Sequence, residues 1–351
     1  MDAPVLALVV AGLIMVAVNA YVVLGGADFG AGVWDLLARG PRAAAQREAI
    51  AEGIGPIWEA NHVWLIFVVV LLFSCFPPVF AHLSVVLHIP LTVMLIGIVL
   101  RGSAFTFRAY DSTDSVVQRQ WGRIFAVSST ITPVLLGMCV GALVSGALAV
   151  PTEASFVARF ITPWWSAFTL TIGGLGLAVF AFLAAVYLTV EVQDAGLAED
   201  FRAMALSAAL AVGLFAALGL WFGRDTLTAT TRALLTNPAA IALQCVTGVA
   251  AVTAIGALLT RRYRLARTAA VVQVSGIVWG WGLAQFPALI PGVHTIATAA
   301  APEVTLRLVL IGVAGGMVVL IPSLWYLFRI FKAEPARAFE RVDTAEHRLP
   351  E

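Results

Sequence analysis

Few residues in this chain could do chemistry, and those few sit in unusual places. Glu59 lies in GPIWEANHVWLI (55–66), a carboxylate at the start of a long apolar run. His62 follows Glu59 by three residues and Trp58 by four, spacings that place the three on one side of a helix. A carboxylate and an imidazole sunk into lipid suit proton transfer, because burial brings their charged and neutral forms closer in free energy near neutral pH. The same residues would equally serve a polar cluster that hydrogen-bonds neighbouring helices or fixes a helix start. Asp28, in LGGADFGAG (24–32), is the second acid. It ends the first apolar run among glycines that permit tight helix crossing. It is a candidate for proton handling or for hydrogen bonding to backbone near the interface.

The remaining polar residues read more plainly. His82 and His88 are six apart on one predicted span, about 240° around a helix, so they cannot form a metal pair there. Either could be an axial heme ligand, but a satisfied histidine is the simpler reading. Asn19 and Gln285 fit helix-to-helix hydrogen bonds. Arg101 and Arg108, in RGSAFTFR (101–108), read as charges anchoring a helix end at the cytoplasmic face. Cys75, Cys139 and Cys245 stand in three separate apolar stretches without CxxC spacing, so they are expected as small buried apolar residues. No phosphate loop, Ser-His-Asp set, zinc motif or nucleic-acid-binding segment is present.

The elements that must hold these residues are membrane spans. Of 351 residues, 61% are hydrophobic and 12% charged, against about 25% charged in a soluble domain. Lipid must therefore be the solvent. A helix needs roughly 20 apolar residues to cross the hydrocarbon. The charge-free runs then predict spans near 4–26, 57–75, 79–100, 123–148, 162–190, 202–222, 238–260, 267–287 and 305–330. The run 60–100 is divided by Pro77-Pro78, read as a tight turn. The expectation is an all-α polytopic membrane protein of about nine transmembrane helices. Spans 1–4 and 5–8 would form two four-helix bundles, with a peripheral last helix. Residues 1–332 make a single transmembrane domain and 333–351 a short tail.

Basic residues orient it. Arg39, Arg42 and Arg47 follow span 1, and Arg261, Arg262, Arg264 and Arg267 follow span 7, whereas the opposite loops carry only Arg159, Arg224, Arg232 and Arg307. By the positive-inside rule the N-terminus is outside and the C-terminus cytoplasmic. The segments 29–55 and 101–121 are expected as interfacial amphipathic helices, and 287–303 as an irregular, re-entrant loop. With no basic n-region, the first span is expected to stay in the protein.

Four blocks in order, GGADFGAG (25–32), GPIWEANHVWL (55–65), FPPVFA (76–81) and RGSAFTFR (101–108), resemble subunit II of cytochrome bd-type quinol oxidases. The late AQFPALIPG (284–292) and YLFRIFK (326–332) agree, so the resemblance runs over nearly the whole chain. It implies an enzyme that oxidises quinol and reduces oxygen to water. In such a heterodimer, subunit I ligates the b- and d-type hemes and subunit II is its scaffold partner. Small accessory subunits occur, and in some members subunit II holds a structural quinone. The resemblance also implies a proton route from the cytoplasm, with Glu59 at the family's "WDGN"-like acid and Asp28 at the second acid of its "DGFDLG"-like block. His62 is the adjoining candidate relay. Both blocks depart: Glu-Ala replaces Asp-Gly at 59–60, and Gly25 stands where the first acid of the other block would be. The quinol is left open between ubiquinol and menaquinol. A secondary transporter, which would need its polar residues at mid-bilayer, and a purely structural assembly subunit are the alternatives.

Overall fold

A computed structural model describes residues 3–54, 58–110, 116–224 and 236–333. The chain begins with α1 (Ala3–Ala20), a π-helical turn at Tyr21–Gly25 and α2 (Gly26–Leu37). Together they form one continuous apolar helix from Ala3 to Leu37. The expected helix end near residue 26 is thus a correction. The glycines there do not stop the helix; they let it touch its neighbours. A Cβ at Gly26 would come within 2.6 Å of the Phe180 ring, and one at Gly30 would overlap the Phe180 backbone carbonyl. Such contacts are how small residues bring membrane helices together.

A short helix, α3 (Ala43–Ile54), follows, then α4 (Trp58–Cys75), α5 (Pro77–Val86) and α6 (His88–Tyr110). The Pro77-Pro78 step is more than a turn. The pair breaks α4 but occupies the first positions of α5, where a missing N–H costs nothing and φ is already helical. The result is a ten-residue helix bent by 116° from α4. The third span therefore starts at His88 rather than 79, and His82 and His88 lie on different helices. Next come α7 (Val116–Val144), α8 (Phe156–Phe160), α9 (Ala167–Glu191), α10 (Ala195–Gly223), α11 (Pro238–Leu259) and α12 (Tyr263–Gln285). The predicted irregular loop contains a small antiparallel hairpin, β1 (Ala288–Ile290) and β2 (His294–Thr295), and a turn of helix, α13 (Ile296–Ala299). The chain closes with α14 (Glu303–Ala333). Residues 334–351, most of the expected tail, lie outside the described residues.

Among the described residues seven helices are long and apolar enough to cross a membrane, or eight if α4 and α5 count as one bent span. The expected eighth span, α12, has the length but carries Arg264, Arg267 and Gln273, and it falls outside that set. The first group packs α1 on α4, α6 on α7 and α2 on α7; the second packs α9 on α10 and α12, and α11 on α12. Contacts of α9 with α2 and α7 join the two groups. At one of these crossings a Cβ on Gly173 would lie 2.7 Å from the Val134 carbonyl. α14 leans mainly on α1 and α4, with 6% of its apolar window buried, a peripheral helix as expected.

Of the two predicted interfacial helices, the region 29–55 resolves into the end of α2 plus α3, and 101–110 simply continues α6. α3 lies against α9 through buried Ile50. Arg42 beside it pairs with Asp200, Arg261 with Glu199, and Arg267 Nη1 reaches Glu191 Oε1 at 3.3 Å. Arginines that follow α2 and α11 are thereby gathered with acids at one end of the bundle. Cys75 and Cys139 are buried as expected, but Cys245 is exposed. At the α2–α9 crossing the Trp34 indole donates to the Ala181 carbonyl at 2.7 Å. Trp34→Phe is expected to destabilise the protein by about 1–2 kcal/mol, read as a lower thermal midpoint in detergent without loss of helicity.

Candidate functional site

The polar centre of the fold forms where α2, α4 and α6 meet. Arg101, at the end of an unbroken apolar run on α6, is turned fully inward and is 1% exposed. Its Nη2 donates to the Asp28 backbone carbonyl at 3.1 Å, and its Nη1 lies 3.3 Å from His62 Nε2. A guanidinium can only donate, so Nε2 must be the accepting nitrogen, and the neutral His62 ring carries its proton on Nδ1. The Arg101 guanidinium also sits 4.6 Å from the Phe29 ring centroid and 5.5 Å from that of Phe125. Such faces attract a cation when water is excluded.

Asp28 is buried, at 4% exposed, and its Oδ2 accepts from Asn61 Nδ2 at 2.8 Å. It interacts electrostatically with Arg101, as does Tyr21. The rings of Tyr21 and Phe29 flank His62 at 6.0 and 5.7 Å. The cluster thus holds one acid, one permanent cation and one imidazole in an aromatic shell, an arrangement able to hold or pass a proton.

The structure brings two of the three sequence candidates together and separates the third. Asp28 and His62 share the cluster. Glu59, in the first turn of α4, is exposed at the surface of the chain. The acid that faces Arg101 is Asp28. Two sequence expectations are corrected: Asp28 lies within a continuous helix and does not end one, and Arg101 is turned into the bundle and is not an anchoring surface charge. Arg108 lies outside the described side chains. Asn61 and Tyr21 were missed, because an amide in WEANH and a phenol in an apolar run look like ordinary helix residues. The signal for Arg101 was available: the residues after it, GSAFTF, are too apolar for a loop in water.

The histidines at the other end behave differently. His82 Nε2 donates to the Leu148 carbonyl at 2.8 Å, and His88 Nδ1 lies 2.9 Å from the Val85 carbonyl. Gln285 accepts from the Trp281 indole at 2.7 Å and donates to the Leu289 carbonyl at 3.0 Å, tying the end of α12 to the hairpin. Gln285, Trp281 and Leu289 also line an apolar cavity of about 510 Å³ bounded by α1, α4, α5, α6, α7, α12 and the hairpin.

Comparison with known proteins then places the chain. Over 138 residues it is 27% identical to cytochrome bd ubiquinol oxidase subunit 2 of Bacillus subtilis (strain 168), an alignment that spans 39% of each chain. The chain is thus matched to about two-fifths of that relative's length. The bd oxidase structure from Geobacillus thermodenitrificans contains a chain of the same fold, with a TM-score of 0.78 at 21% identity over 93% of this chain and 98% of that one. The family model for cytochrome bd terminal oxidase subunit II matches residues 6–331. The chain belongs to the cytochrome bd terminal oxidase subunit II family.

Proposed function

We propose that this chain is the scaffold partner of a heme-bearing subunit I in a respiratory complex of the bacterial cytoplasmic membrane, and that Glu59 admits protons on their way to the oxygen site. Quinol is oxidised, dioxygen is reduced to water, and the hemes of subunit I supply the electron transfer between them. Taking the protons from the cytoplasm would make the reaction charge-separating without a pump. The gathering of arginine-rich segments at one end of the bundle supports a cytoplasmic C-terminus and an outer N-terminus.

The observation that carries the proton role is the position of Glu59. It stands exposed on the first turn of α4, within one helical turn of Asn61 and His62, which belong to the buried Asp28–Arg101 cluster. An exposed acid can exchange protons with water and hand them across a subunit boundary. The inward cluster supplies a fixed field behind it.

The apolar cavity suits a polyisoprenoid quinone tail or a lipid chain, because its lining is almost wholly hydrocarbon and the polar groups of Gln285 and Trp281 are already paired.

Glu59→Gln tests the reading. Oxygen consumption with quinol is expected to fall roughly tenfold or more, while the reduced-minus-oxidised heme spectrum and subunit ratio of the purified complex stay unchanged. Wild-type turnover would remove the proton role. Loss of assembly would favour a structural role for Glu59.

A further inference from the structure

The end of the bundle opposite the arginines holds a feature the oxidase reading does not use. His82, on α5, and His294, on β2, come from segments more than two hundred residues apart in sequence, yet their rings meet nearly perpendicular, with centroids 5.7 Å apart and planes at 87°. We propose that these two imidazoles form a binding site for a divalent transition metal such as Zn²⁺ or Cu²⁺, completed by water.

Three observations carry this. The first is orientation. His82 Nε2 lies 2.8 Å from the Leu148 carbonyl, which can only accept, so Nε2 holds the proton and Nδ1 keeps its lone pair. A backbone carbonyl gripping one ring N–H is the usual way a ligand histidine is aimed and its other nitrogen made basic.

The second is spacing. An ion bound about 2.0–2.1 Å from each nitrogen would lie about 3.2 Å from each ring centroid. Centroids 5.7 Å apart then subtend an angle of about 125° at the ion, moderately wider than tetrahedral.

The third is access. Both rings are half-buried, and His294 adjoins exposed Gly292 and Val293 at the hairpin tip.

The ligand count sets the class of site. Among the described residues no group of three or more His, Cys, Asp or Glu side chains is placed to hold a metal. The pair is therefore an exchangeable site with open positions for water, unlike a closed structural zinc. Its ligands join the bent helix α5 to the hairpin, and both elements also line the apolar cavity. A bound ion would cross-link the two walls.

The test uses the purified complex, titrated with Cu²⁺ and read by electron paramagnetic resonance, with Zn²⁺ competition by equilibrium dialysis. The wild-type complex is expected to bind one ion with two-nitrogen coordination that Zn²⁺ displaces. His294→Asn is expected to weaken binding roughly tenfold or more and to leave at most one nitrogen in the spectrum. His82→Gln keeps an amide donor for the Leu148 carbonyl and should weaken binding similarly. Unchanged affinity in both variants, or a wild-type signal lacking two nitrogens, overturns the site. Should His82→Gln fail to assemble, His294→Asn alone decides.

Discussion

Replacing Arg101 with leucine is expected to destabilise the protein by about 3–5 kcal/mol, the range for breaking a buried charge pair from one side. Arg101 is 1% exposed and reaches three elements at once: the Asp28 backbone on α2, His62 on α4, and the Phe125 ring on α7. Leucine fills much of the space but leaves Asp28 buried without its cation and His62 Nε2 without its donor. The result should be a thermal midpoint many degrees lower. Arg101→Lys keeps the charge but cannot present two nitrogens in a fixed fork, so it should fall between. Adding Asp28→Asn to Arg101→Leu should recover part of the loss, since removing both charges leaves no uncompensated ion. If the double variant is as unstable as the sum of the two singles, the pair does not act as a unit.

The second large effect is steric. Gly30→Val should cost about 3 kcal/mol or more, at the upper end for overpacking. A Cβ at Gly30 would overlap the Phe180 carbonyl and approach the Ala181 nitrogen at 2.7 Å. Both belong to the backbone of α9, the helix that joins the two halves of the bundle. Helix backbone cannot rotate aside as a side chain can, so the whole α2–α9 crossing must open. The movement would carry Asp28 and Phe29 with it and disturb the Arg101 cluster. Gly213→Ala on α10 is the control: nothing lies within 4 Å of its Cβ position. There the change should be neutral, or stabilising by up to about 1 kcal/mol. Equal effects at the two positions in a thermal-unfolding series would mean that close helix approach is not what Gly30 provides.

These expectations separate two kinds of information. Composition alone established the solvent, because 61% hydrophobic residues cannot be buried in one water-facing core. The apolar runs established most helices, and the order of four short blocks established the family before any coordinate. What the runs could not establish was the inward face of each helix. A span that is apolar all round carries no stripe to read, so neither Arg101 nor Glu59 revealed its direction from periodicity. Arg101 looked like an anchor and is central; Glu59 lies on the outer surface of the chain, away from the cluster. Both assignments depend on which neighbours arrive at each face, and that is a long-range property.

The same reason accounts for the other corrections. Gly26 and Gly30 read as a helix end by local propensity, yet they continue the helix because α9 packs against them. Pro77-Pro78 read as a turn, yet it starts α5, since proline both ends one helix and suits the first positions of the next. The sequence by itself determined the class of protein and its candidate acids. Only the tertiary structure decided that Arg101 meets Asp28 and that His82 meets His294, because those contacts join segments far apart along the chain and are made only when the helices pack.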